Sequence, residues 1–176
     1  MEISGLGPVT IDADSGDYVS APLPVPVFGD APCRFVVAGY GDDDAKADFE
    51  TAIRAFLRLD ESALTSASAP VFQYYLDART EVGGDEDFVS VAGPDDVWSH
   101  VRPAGEVSVQ REDAHGDQQV YVSVECECAW EPEHGLQVVF RRGSSVSKVG
   151  PFDSHLTNAS AFDRADLADV VYHRFG

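Results

Sequence analysis

The chain has 176 residues, a hydrophobic fraction of 44% and a formal net charge of -19. That length suits one domain, and that apolar content is enough for a packed core, which argues against disorder. The acid excess repels phosphate backbones and anionic lipid, so the composition excludes nucleic-acid and membrane-surface binding by charge.

No apolar run approaches the ~20 residues of a membrane helix. The opening MEISGLGPVT lacks the basic-then-apolar layout of a secretory signal, which predicts a cytoplasmic protein. The three cysteines, Cys33, Cys126 and Cys128, are an odd set with a close pair, a pattern of reduced thiols rather than of a secreted disulfide framework.

Along the chain, Pro22, Pro24, Pro26 and Pro32 exclude helix from the first forty residues and place extended segments at a sheet edge. Val9 and Ile11 lead into Asp14-Ser15-Gly16, a turn signal. Asp12, Asp14 and Asp17 have the look of a calcium loop. Its fifth position would be Gly16 and its twelfth Leu23, where Glu is needed, so a turn is the expectation. RFVVAGY, 34–40, reads as a short buried strand.

Residues 44–60 carry the clearest helical pattern, with Phe49, Ala52, Ile53, Phe56 and Leu57 on one face. Asp42, Asp43 and Asp44 precede it as cap and first-turn charge, a metal site being the other use of three adjacent acids. A second helical stretch covers 61–79, its main part starting at Pro70, with Val71, Tyr74, Tyr75 and Ala78 on a face. EVGGDED, 81–87, reads as a loop, and Pro94-Asp95-Asp96-Val97-Trp98 as the opening of a short helix.

From Gly105 the period changes to two. Val107 and Val109 alternate with polar residues, and AHGD at 114–117 makes a turn. Val120, Val122 and Val124 then face one way while Tyr121, Ser123 and Glu125 face the other, outward. After a loop at 131–135, Leu136, Val138 and Phe140 share a face. A fourth strand covers 145–149, and 160–173 is partly helical, anchored by Phe162, Leu167, Val170 and Val171. The expectation is an α+β fold in a single domain, 1–176: an antiparallel sheet whose C-terminal meander of three to four strands packs on two helices from the N-terminal half.

Chemistry concentrates at 125–137, Glu-Cys-Glu-Cys-Ala-Trp-Glu-Pro-Glu-His-Gly-Leu-Gln. In an uninterrupted strand Cys126, Cys128 and Trp130 continue the valine face into the core, and Glu131 to Gly135 form a hairpin loop with Gly135 free to take positive φ. The same residues also allow a zinc site, with Cys126, Cys128 and His134 as ligands and Glu131 or Glu133 completing it. A third use is catalytic: Glu133 and His134 with His155 around a pocket at one sheet end, a base without an evident nucleophile. Nucleophile-elbow, Walker, dinucleotide and H-E-x-x-H patterns are absent. No cofactor is therefore expected outside the zinc alternative.

CECAWEPEHGLQVVF at 126–140 and GPFDSHLTN at 150–158 resemble a family of uncharacterised bacterial domains. Its pattern is Cys-x-Cys-x-Trp-Glu-x-Glu-His-Gly-Leu followed by Asp-Gly-His-Leu-Thr. Ser154 stands here in place of that Gly. The resemblance spans the last two-thirds of the chain and brings no activity with it. Related domains resemble immunity or accessory proteins of bacterial toxin systems. The resemblance and the charge together imply a non-enzymatic acidic protein that binds a basic protein partner. Its candidate binding residues are Trp130, Glu131, Glu133, His134, Asp153 and His155.

Overall fold

The computed structural model describes residues 1–83, 87–112, 115 and 117–174. The turn expected at 114–117 and the loop expected at 81–87 fall partly outside that set. The Pro- and Gly-punctuated start forms four short strands, β1 (Glu2–Ile3), β2 (Gly7–Ile11), β3 (Tyr18–Ser20) and β4 (Leu23–Val25), followed by β5 (Ala31–Val37). The turn between β2 and β3 is held by Asp12, whose Oδ1 accepts from the backbone N–H groups of Asp14 and Ser15 at 2.9 and 3.0 Å. That is an Asx turn, which gives the Asp12 carboxylate a structural role there. Both β3 and β4 pair with β5. Between them buried Ser20 accepts from the Phe35 N–H through Oγ at 2.9 Å, keeping that donor satisfied where the ladder is interrupted.

Helix α1 spans Lys46–Phe56, and α2 spans Ser68–Glu81 after a 3₁₀ stretch at Glu61–Ala67. A second 3₁₀ turn, Pro94–His100, leads into β6 (Val101–Arg111). Strands β7 (Val120–Cys128), β8 (Leu136–Arg141) and β9 (Ser145–Gly150) complete the sheet, before a short helix α3 (Asn158–Phe162) and a 3₁₀ turn at Ala165–Leu167. The protein is thus mixed α and β, built on a nine-stranded, mostly antiparallel sheet in the order β1-β2-β3-β5-β6-β7-β8-β9, with β4 beside β5. The pairing of β5 with β6 is parallel, with Phe35 opposite Val107. Between those strands the chain crosses over through α1 and α2, as a parallel pair requires.

One continuous core lies where the helices meet the sheet. Phe49, Ala52, Ile53 and Phe56 of α1 and Val71 and Tyr75 of α2 are buried with Val107, Val109, Val122, Val124 and Phe140. Phe56 meets Phe140 edge-on at 5.1 Å between ring centroids. No helix among the described residues is long and apolar enough to cross a membrane.

Two expectations change. Tyr121 and Ser123 do not face solvent but are buried. Their face of the sheet is covered by the chain after β9, with Tyr121, Val139 and Leu156 forming a small second cluster. The three adjacent acids do not cap α1 either. Its N-cap is Ala45, without a side-chain cap.

Asp43 instead receives Arg111 of β6 in a two-pronged pair, Nε to Oδ2 at 2.7 Å and Nη2 to Oδ1 at 3.0 Å. Arg111 also donates to Asp48 at 3.1 Å and lies over the Phe49 ring. The Arg111 guanidinium holds the Asp43 carboxyl below its ordinary value. Stability from this pair is fully present above the unfolded carboxyl pKa of about 3.9 and is lost as the pH falls through the lower folded-state value. Asp43→Asn is expected to cost about 2 kcal/mol in denaturant unfolding at pH 7, the scale of hydrogen bonds to a charged group. The difference from the parent should shrink as both are titrated below pH about 4.

Candidate functional site

The β7 alternation delivers Cys126, Cys128 and Trp130 to the core and Glu125 and Glu127 to the surface. All three cysteines are free. Burial raises the Cys126 thiol well above its ordinary pKa and pushes Cys128 up to about 12, so both are neutral thiols at pH 7 rather than nucleophilic thiolates. Trp130 lies edge-on to Tyr74 and Tyr75 at 6.2 and 5.9 Å. It supports Tyr74 from behind and offers no surface of its own.

The loop after β7 is organised by Glu131. Its Oε1 accepts from the Glu133 and His134 N–H groups at 3.1 and 3.4 Å, and the His134 ring stands 3.6 Å away. Gly135 closes the loop at φ +63°, its N–H bonded to the Glu131 carbonyl at 2.9 Å. A Cβ on Gly135 would lie 2.4 Å from the Cys126 carbonyl oxygen, so the position accepts only glycine. The Gly135 carbonyl in turn accepts from the Tyr74 hydroxyl at 3.0 Å, which fastens the loop to α2.

The second motif, after β9, is organised by Asp153. Its Oδ1 accepts from the His155 N–H at 2.9 Å and from buried Lys148 at 2.5 Å. Lys148 also donates to Gln137 Oε1 at 2.8 Å and to the His155 carbonyl at 3.1 Å. Burial lowers the pKa of the Lys148 ammonium, and Asp153 opposes that shift. Ser154 takes the left-handed φ of +66° that glycine would adopt freely. The two motifs meet where the Phe152 N–H donates to the His134 carbonyl at 3.2 Å.

Beside this junction opens a cleft of about 330 Å³. Glu131 and His134 enter it from the first loop and Phe152 and Asp153 from the second. Helix α2 adds Tyr74, Asp77 and Glu81, and the C-terminal segment adds Tyr172 and Arg174. Tyr172 donates to Asp77 Oδ2 at 2.8 Å. The acids and aromatic rings make a site suited to a cation.

Of the residues expected from the sequence, Glu131, His134 and Asp153 come together here. Glu133 does not line the cleft but lines a neighbouring depression, which Glu131 and His134 also line. His155 does not line the cleft, although its Nδ1 stands 3.6 Å from Oδ1 of Asp153, which does. Nor do the thiols join His134. Among the described residues, the potential ligand atoms within 4.8 Å of one another belong to Glu131, Glu133 and His134. Asp77, Glu81, Tyr172 and Arg174 were not selected from the sequence. The α2 residues carried a signal, because positions 74, 77, 78 and 81 share one helical face.

Residues 5–156 match the family described as a domain of unknown function, DUF6985. The chain belongs to that family. It matches no curated protein and no solved structure. The matched span of the DUF6985 domain takes in both motif loops and α2, whereas Tyr172 and Arg174 lie beyond it.

The two positive-φ positions of this site should respond in opposite directions. Gly135→Ala is expected to lose at least about 2 kcal/mol, from the left-handed backbone and the clash with Cys126 together. Ser154→Gly is expected to gain about 0.5 kcal/mol, as relief of left-handed strain outweighs the entropy of a freer unfolded chain. Thermal or urea unfolding of the two variants measures both.

Proposed function

We propose that this DUF6985 domain is a non-enzymatic binding protein whose partner is a basic protein, as an immunity-type partner of a basic toxin would be. The observation that carries the reading is the cleft itself. Asp77, Glu81 and Glu131 gather around the rings of Tyr74, Phe152 and Tyr172. Carboxylates attract a cationic side chain and aromatic faces hold it once part of its water is removed. The net charge of -19 would speed the encounter with a basic partner and discourage acidic ones.

The chemistry needed for turnover is not concentrated here. Catalysis by a nucleophile needs an activated group beside a base. The thiols nearest the motif are buried and neutral at pH 7, and His134 has a capping carboxylate for its neighbour rather than a nucleophile. A pocket with acids and rings but no such pair suits recognition.

The test is affinity capture on the immobilised protein, with Glu81→Gln/Glu131→Gln as comparison and mass spectrometry of what is retained. A basic protein should be held at about 0.1 M salt and released toward about 1 M, where the Debye length falls from about 10 Å to about 3 Å. The double variant should retain several-fold less of it. Equal retention by parent and variant would overturn the reading.

A further inference from the structure

The cleft's carboxylates are not empty-handed. The guanidinium of Arg174 straddles Asp77 and Glu81, with Nη1 3.7 Å from Asp77 Oδ1 and Nη2 3.5 Å from Glu81 Oε1. Both separations exceed hydrogen-bond length, and half of the Arg174 side chain remains exposed. Asp77 and Glu81 are four residues apart on α2, so the two carboxylates sit one turn apart on the same face. A planar fork of donors spans that gap, whereas a compact ammonium does not.

The backbone that delivers Arg174 is fixed independently of its side chain. The Val149 N–H donates to the Val171 carbonyl at 2.8 Å, Asn158 Nδ2 to the Val170 carbonyl at 2.7 Å, and Tyr172 to Asp77. Arg174 can therefore swing away while the C-terminal segment and the wall formed by Tyr172 stay in place. Asp153 Oδ2 is buried at the cleft wall and makes no hydrogen bond to the described residues.

Resting on the binding reading above, we propose that Arg174 is an internal stand-in for the ligand. The cleft recognises an arginine side chain of the partner protein, and in the free protein Arg174 holds that place until the partner's guanidinium displaces it. Binding then exchanges one cation for another, so the α2 carboxylates are never left facing each other unneutralised. The partner must outcompete a tethered rival, which lowers the apparent affinity of any cation by the same factor.

The experiment is a chemical-shift titration of the full chain with acetyl-Gly-Arg-Gly-amide, following the Arg174 Nε–Hε resonance and the backbone of α2. Arg174→Ala should bind the tripeptide about threefold to fivefold more tightly than the parent, the scale of an exposed ion pair. Arg102→Ala, which removes the same charge at an exposed pair with Glu127, should leave the affinity within about 1.5-fold of the parent. In the parent, saturation should move the Arg174 resonance toward that of free arginine. Glu81→Gln should weaken binding in both the parent and the Arg174→Ala background.

If Arg174→Ala binds no more tightly while Glu81→Gln still weakens binding, the stand-in is overturned and the binding cleft survives. If acetyl-Gly-Lys-Gly-amide binds as well as the arginine peptide, the guanidinium preference is overturned. If neither parent nor Arg174→Ala shows saturable shifts at α2, both proposals fall.

Discussion

The geometry of the site depends on one buried cation. Lys148 projects from β9 beneath the chain that follows it, with only 2% of its side chain exposed. A buried ammonium is tolerated only when its donors are satisfied and an opposite charge is close. Gln137, Asp153 and the His155 carbonyl supply those partners, and Gln137 is itself braced by donating to Ser123 at 2.9 Å. A polar line thus runs across β7, β8 and β9 into the loop at 151–155. The loop's path follows from the need to bring Asp153 and a carbonyl to Lys148. Phe152 is fixed against the His134 carbonyl as a result, and Leu156 is set over Tyr121 and Val139.

The same constraint explains why the second face of the meander is closed. Period-two alternation places Tyr121, Ser123, Gln137 and Val139 opposite the main core, where an ordinary antiparallel sheet would face water. Here the segment carrying α3 lies over them. Tyr121 keeps its hydroxyl satisfied by donating to Asp117 at 2.5 Å and accepting from Arg141 Nε at 3.1 Å. Arg141 continues to Asp169 and the Ala168 carbonyl, which ties the end of the chain to β8. Tyr172 and Arg174 reach the cleft because these contacts bring the C-terminal segment past α2.

Local pattern made part of this legible. Strands β7 and β8 declared themselves by alternation, α1 and α2 by their apolar faces, and the loop of Glu131 to Gly135 by a glycine whose positive φ is now seen. What alternation cannot tell is what covers a polar-looking face, so Tyr121 and Ser123 were expected outside. The three adjacent acids were ambiguous for a similar reason. Arg111, the partner of Asp43, lies sixty-eight residues beyond it, and no spacing rule links the two. Within the cleft, Glu131, His134 and Asp153 stood out because they sit in dense motifs. Asp77, Glu81 and Arg174 did not, since their role arises only when α2 and the C-terminal segment lie side by side.

Charge alone would make a poor recognition device for this protein. Arg34, Arg102 and Arg164 are paired with neighbouring carboxylates on the exposed surface, and the acid excess is spread along the chain. Such a field draws in any basic body, falls off within a Debye length and says little about identity. The cleft differs in having walls. Tyr74 is pinned by Gly135 and backed by Trp130, and Tyr172 is pinned by Asp77. Rings held this way lose little further entropy when a ligand arrives. Under the proposed binding role, discrimination among basic partners would fall to the shape set by these rings and to the spacing of the two α2 carboxylates. In that role the surrounding acids would govern how often a partner arrives.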